Sequence, residues 1–314
     1  MYHLSGSVIL GWALGANDAA NVFGTAVASR MVRYRSAVGL SAIFVVLGAV
    51  VGGSGGFQTL SGLTKQTVQS AMLVTAIAGL TVIAMTLLKL PVSASQAVVG
   101  AILGMGLASA PQQVRWAPLA KIVLCWVGTP TGAAAIAAVL YPTLGWVMDR
   151  LPINFVTRSI VLKAALLASG SYGAYALGAN NVANVTGAFY QTELFSGIAR
   201  SELILAAVGG VSIALGAVTL SRSVMLTVGS RLVQLGAFSA FIAVLAQALT
   251  VHIYAIVGVP VSTSQAIVGA VLGIGLVKSV RTIDHGTLGR ILSAWLMTPP
   301  VAGVFCYVFA KVLI

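Results

Sequence analysis

Acidic side chains are nearly missing from this chain: there are five Asp and Glu among 314 residues, and charged residues of both signs make up only 7%. A water-soluble domain carries about 25%. So little charge cannot cover a water-facing surface of this size, which excludes a freely soluble enzyme or binding domain. Cysteine is equally scarce. Cys125 and Cys306 both lie inside apolar runs, where packing explains them better than a disulfide or a metal site. Histidine occurs three times, as His3, His252 and His285, each near the end of an apolar run and none repeated. That fits interfacial positions rather than a proton relay. No nucleophile–base set, metal-ligand cluster, Walker loop or dinucleotide fingerprint occurs, so neither catalysis nor ATP-driven pumping is supported. The first residues, MYHLSGSVILGW, lack a basic stretch, and no cleavable signal peptide is expected there.

What the chain has is apolar length. Hydrophobic residues make up 59% of it, and runs of about 20 apolar residues, the length that crosses a bilayer, recur throughout. Ten segments can be drawn, roughly 4–29, 36–53, 68–88, 91–109, 118–140, 160–190, 203–220, 232–257, 260–277 and 290–313. The fold class is therefore an all-α polytopic membrane protein, its partner the lipid bilayer. The net charge of +12 comes from basic residues scattered singly between these segments. They read as topology signals and phospholipid contacts, not as a nucleic-acid surface.

The chain also repeats itself. LPVSASQAVVGAILGMGLA (90–108) returns as VPVSTSQAIVGAVLGIGLV (259–277), with 13 of 19 positions identical. LGANDAANVFG (14–24) returns as LGANNVANVTG (177–187), and Ile122, Trp126, Thr129 and Pro130 return as Ile291, Trp295, Thr298 and Pro299. Matched blocks in one order mean a duplication, with residues 1–140 as the first repeat, 141–159 as a connecting cytoplasmic loop and 160–314 as the second repeat. If every segment crosses, twelve Lys and Arg fall on one side and five on the other. The richer side is cytoplasmic and both termini face outward. Five crossings per half turn the second half upside down, the inverted-repeat design of many secondary transporters. Segments 91–109 and 260–277 are short and open on proline, which suits broken or re-entrant helices.

Asp18 is the one acid set deep in an apolar segment; Asp149, Glu193, Glu202 and Asp284 stand at ends or in loops. An Asp at mid-bilayer costs about 2.5–3.5 kcal/mol on insertion scales, a cost retained where the carboxylate has a partner such as a cation or proton. Asn17 and Asn21 share one helix face, with Asp18 on an adjacent strip. Gly15 and Gly24 bracket the cluster, and a local break there would free backbone carbonyls for a hard cation such as Na⁺. The second copy supplies Asn180, Asn181 and Asn184. A single Asn can simply join helices; two matched clusters, one holding a carboxylate, point to a binding site.

Pro91 and Pro260 suit the first turn of a helix, and Ser93, Ser95, Ser262, Thr263 and Ser264 can cap it or donate hydroxyls. A helix that starts inside the membrane points free N–H groups and its positive end at whatever lies ahead. Two such starts would form a donor-rich cage suited to an anion, with Gln96 and Gln265 adding neutral donors. Glycines at 100, 104 and 106, repeated at 269, 273 and 275, serve close helix packing. Thr129-Pro130 and Thr298-Pro299 mark kinks, structural in role, with room for a hinge.

GANDAANVFGTAV, GANNVANVTGAF and the twin PVSxSQ blocks resemble the inorganic phosphate transporter (PiT) family, which carries a GANDVANA-type signature and a downstream proline–serine/threonine motif in each half. The resemblance covers nearly the whole chain. It implies an inverted-repeat symporter that moves inorganic phosphate with Na⁺ or H⁺ across the cell (inner) membrane, with no resident cofactor. Asn17, Asp18 and Asn21, and likewise Asn180, Asn181 and Asn184, would belong to the cation and phosphate sites, with Na⁺ at Asp18 and at its counterpart Asn181. Ser93, Ser95, Ser262, Thr263 and Ser264 match the motifs that line phosphate and its cations. Three departures stand out: Asn181 where the second signature usually has Asp, Gln96 and Gln265 where His is common, and Val45 after Phe44 where Glu is common. Fewer carboxylates imply fewer co-transported cations, and some relatives carry sulfate. The long central loop of animal members is missing, as in a prokaryotic minimal form. The expected function is thus an oxyanion symporter working by alternating access. Its rivals are a sulfate permease of the same fold, a passive anion channel, and an enzyme acting on lipid phosphate, for which no acid–base pair recurs. The glycine surfaces leave room for a homodimer.

Overall fold

The computed structural model describes residues 2–313 apart from 89–91, 232–234 and 279–284. Its helices are α1 (Ser5–Ala28), α2 (Tyr34–Gly52), α3 (Gly55–Ser61), α4 (Val68–Leu87), α5 (Ala94–Ser109), α6 (Trp116–Arg150), α7 (Phe155–Thr186), α8 (Ser201–Arg231), α9 (Ala237–Val257), α10 (Thr263–Lys278) and α11 (His285–Leu313). No strand occurs among the described residues. Hydrocarbon offers the backbone no hydrogen bonds, so a chain this apolar satisfies its N–H and C=O groups within helices. Among the described residues, seven helices are long and apolar enough to cross a membrane: α2, α4, α6, α7, α8, α9 and α11. Helix α1 has 24 residues and spans about 36 Å, but carries the polar cluster. Helices α5 and α10 have 16 residues each, about 24 Å, short of a hydrocarbon core of about 30 Å.

Three expectations need correction. Helix α1 does not break between Gly15 and Gly24 but runs unbroken from Ser5 to Ala28. Gly15 serves another purpose: a Cβ there would run into the Ile213 carbonyl of α8, so the glycine lets two backbones touch. Residues 141–159, read as a loop, are helical except for 151–154. Pro142 sits inside α6 without ending it, and the Thr143 hydroxyl donates to the carbonyls of Val139 and Leu140 at 2.8 and 3.1 Å. Pro260 stands two residues ahead of the Ser262 cap, not in the first turn of α10. Pro91 lies outside the described residues.

The duplication reappears in the packing. Gly15 meets the Ile213 carbonyl and Gly216 the Trp12 carbonyl where α1 crosses α8; Gly178 meets the Val45 carbonyl and Gly48 the Tyr175 carbonyl where α7 crosses α2. Likewise Gly100 and Gly104 abut the carbonyls of Pro299 and Gly303 on α11, and Gly269 and Gly273 abut those of Pro130 and Ala134 on α6. In each pair a helix of one half lies against a helix of the other. These glycine faces are filled within the chain, so they offer no surface for a second copy.

The outside is apolar. Leu124, Val127, Leu296, Val304 and Val312 are exposed on α6 and α11, as lipid-facing side chains should be. Basic groups near the helix ends lie over aromatic rings, Arg150 over Trp146 at 3.8 Å and Lys278 over Tyr141 at 5.3 Å, pairs suited to the membrane–water interface. Cys125 and Cys306 are both free.

Candidate functional site

The site forms where the middles of α1 and α7 meet the starts of α5 and α10. On α1, the Asp18 Oδ1 accepts from Asn17 Nδ2 at 3.0 Å and from Asn21 Nδ2 at 3.3 Å. Asn21 Nδ2 also donates to Ser264 Oγ at 2.9 Å, which ties α1 to the first turn of α10. The Thr263 side chain lies beside the Asp18 carboxyl, although its hydroxyl makes no hydrogen bond of ordinary geometry. On α7 the same lattice recurs. Asn184 Nδ2 donates to Asn181 Oδ1 and to Ser95 Oγ, both at 2.8 Å. Asn21 and Asn184 therefore each clasp a serine from the opposite half.

The two helix starts touch each other. Ser95 Oγ donates to the Val261 carbonyl at 2.9 Å. Helix α9 ends on Gly258 at φ +75°, a left-handed position glycine adopts without strain, and the chain then stays out of helix up to Ser262. Asn180 holds that stretch from both sides: its Oδ1 accepts the Val261 N–H at 3.0 Å and its Nδ2 donates to the Val259 carbonyl at 3.3 Å. This clamp keeps Pro260 outside the helix. Ser93 and Ser262 cap their helices as expected, each accepting the N–H three residues on, from Gln96 and Gln265, at 3.3 Å. The N–H groups of Ala94, Ser95, Thr263 and Ser264 have no partner among the described residues, as the first turn of any helix requires of its own backbone.

Asn17 is half-buried; the other predicted site residues are all buried, Asp18 at 4% and Asn184 at 0% exposure. No ion pair among the described residues involves Asp18; the one present joins Arg158 to Asp149 at 3.0 Å near the α6–α7 connection. A carboxylate in such surroundings loses water without gaining a protein cation, which is costly when it is ionised. The set can therefore offer a lone acidic oxygen pair to a cation and free amide N–H groups to an anion.

Gln96 and Gln265 stand apart from this lattice. Each lies one helical turn before the glycine that abuts α11 or α6, on the same face, and neither side chain bonds the Asn clusters; both amide oxygens are buried without partners. Two features were not read from the sequence. The backbone of Val259 and Val261 takes part, and backbone groups leave no side-chain signal. Trp126 and Trp295 also bury indole N–H groups without partners; their recurrence in the repeat was the available clue. His252 is half-buried, with its Nδ1 2.7 Å from the Tyr172 hydroxyl.

The family model described as the phosphate transporter family matches residues 14–306. A protein of Methanocaldococcus jannaschii named "Putative phosphate permease" is 30% identical over 300 residues, covering 96% of this chain and 93% of its own length. The sulfate permease CysP of Bacillus subtilis is 27% identical over 292 residues, covering 91% of this chain and 80% of its own. A solved structure titled "The sodium-dependent phosphate transporter" superposes with a TM-score of 0.87 at 23% identity, covering 100% of this chain and 99% of that one; this shows a shared fold. A buried acid, paired asparagine lattices and capped helix starts thus sit in a chain matched almost end to end, and the protein is a multi-pass membrane transporter, not an enzyme, that belongs to the phosphate transporter family.

Proposed function

We propose that this protein is a secondary active symporter that imports inorganic phosphate with Na⁺ or H⁺ by alternating access. The observation that carries the reading is the Asn21–Ser264 hydrogen bond, which sets the Asp18 cluster directly against the start of α10, while Ser95 joins that start to α5. A cation bound at Asp18 neutralises the carboxylate. The oxyanion then meets two helix N-termini, whose free N–H groups and positive dipole ends favour negative charge. Each ligand raises the affinity for the other, and that coupling links the fluxes.

The glycine contacts support inverted repeats. Gly269 and Gly273 advance along α10 as Pro130 and Ala134 advance along α6, so these helices run in the same direction. Helix α6 follows α5 after a short connection, and short connections join antiparallel helices. Helix α10 therefore opposes α5, its counterpart in the repeat. Counted with all ten segments crossing, the charge asymmetry supports an orientation with both termini extracytoplasmic.

The test is uptake of labelled phosphate into proteoliposomes holding the purified chain, across a panel of Na⁺, K⁺ and pH gradients. Accumulation above equilibrium that depends on one of these gradients is expected; equilibration without any cation dependence would fit a passive channel instead. A second reading, sulfate as the cargo, draws on the similarity to the B. subtilis sulfate permease. Sulfate that outcompetes phosphate in the same vesicles would establish it.

A further inference from the structure

The two half-sites share the clasp of an Asn on a Ser and differ in charge: where α1 presents the Asp18 carboxylate, held also by Asn17, α7 presents the Asn181 amide, while Asn180 bonds the Val259 and Val261 backbone. We propose that the halves divide the cargo, the cation going to Asp18 and a protonated tetrahedral oxyanion to Asn181 and Asn184, so that each anion travels with a single coupled cation. This rests on the symporter reading and removes Asn181 from the expected cation ligands.

The hydrogen-bond inventory carries the assignment. Asn184 spends both N–H groups, one on Ser95 Oγ and one on Asn181 Oδ1. Ser95 accepts from Asn184 and donates to the Val261 carbonyl at 2.9 Å, with a longer 3.5 Å contact to Asn181 Oδ1. Two polar atoms remain, the Asn181 Nδ2 donor and the Asn184 Oδ1 acceptor, both buried and without partners. Beside them stand the free N–H groups of Ala94 and Ser95 in the first turn of α5. A cation gains little here, since the half-site has no fixed negative charge and one of its open groups is an N–H. A phosphate near neutral pH suits it well. Its ionised oxygens accept from Asn181 and the α5 amides, and its remaining O–H donates to Asn184 Oδ1. Sulfate has no O–H at that pH and leaves Asn184 Oδ1 unpaired, a difference on the order of tenfold in affinity. The first half-site cannot take the anion's place, because Asp18 Oδ1 already holds two amide donors and its charge repels an anion until a cation arrives.

The test is the flux ratio in proteoliposomes of the full chain, with radiolabelled sodium and phosphate counted together, or an internal pH dye if the coupling ion is H⁺. One cation per phosphate is expected. Asn181→Asp removes the anion's donor and sets a carboxylate in its place, so it should raise the phosphate concentration for half-maximal uptake further than the neutral Asn181→Ala does. Asn181→Ala should raise the phosphate concentration for half-maximal uptake on the order of tenfold and, measured at saturating phosphate, leave that for the cation unchanged. A parent ratio of two or more overturns the proposal whether or not the variants are active, as does an Asn181→Ala that weakens the cation instead. Uptake that never exceeds equilibrium for any oxyanion counts against the symporter reading itself, an outcome separate from any measured ratio.

Discussion

Asp18→Asn is the sharpest perturbation available, because the molecule already contains its control. At the matching position Asn181 sits in the same lattice, accepting from Asn184 at 2.8 Å. An amide at position 18 keeps an oxygen to accept from Asn17 and Asn21, and its new N–H₂ faces the Thr263 hydroxyl, which lacks a partner. The fold should therefore survive, and replacing a buried ionisable group by a neutral one should leave the unfolding temperature in detergent equal or higher. What is lost is a full charge. At about 4 Å and an effective dielectric near 20, attraction between carboxylate and cation is about 4 kcal/mol, which corresponds to roughly a thousandfold in cation affinity. Sodium titration of phosphate uptake in proteoliposomes reads this directly. Concentrative uptake should vanish at accessible sodium concentrations. A variant that still concentrates phosphate, with half-maximal sodium within tenfold of the parent's, refutes the role given to Asp18.

Other expectations follow from the packing. Gly100→Val places a Cβ against the Pro299 backbone, and such overpacking should cost about 1–3 kcal/mol or more, seen as a lower melting temperature; Gly269→Val should behave alike because it meets Pro130 in the same way. Asn180→Ala strands the Val259 carbonyl and the Val261 N–H, at about 1–3 kcal/mol each. Both melting temperature and apparent phosphate affinity should fall, and an unchanged affinity would show that the clamp does not shape the site. Asp149→Ala removes an ion pair whose side chains are 43% and 70% exposed. With an expected effect of about 0–1 kcal/mol, melting and uptake should stay as they were.

Much of the site could be read in advance because it rests on local chemistry. Ser93 and Ser262 cap helices for the reason any serine at that place does, and the twin blocks announce two equivalent starts. Asp18 stands out since hydrocarbon makes an unaccompanied acid expensive. Other features needed contacts between distant segments. Gly15 and Gly24 suggested an unwound α1, yet Gly15 answers to the α8 backbone at Ile213, a neighbour roughly two hundred positions away. Polar letters at 141–159 suggested a loop, but helix continues through Pro142 to Arg150. Gln96 and Gln265, expected as donors to the substrate, each stand one turn before the glycine that abuts α11 or α6, and neither bonds the Asn clusters.

From residue order alone come the membrane, the duplication and the solitary acid, since each depends on composition or spacing, which no later folding step can alter. Which half meets which does not follow from order. Asn21 reaches Ser264 and Asn184 reaches Ser95 because bare glycine backbones let α1 press on α8 and α7 on α2, interleaving the repeats. Either half could have closed on its own serines with the same letters; the partner is chosen by where backbones can come close enough to touch.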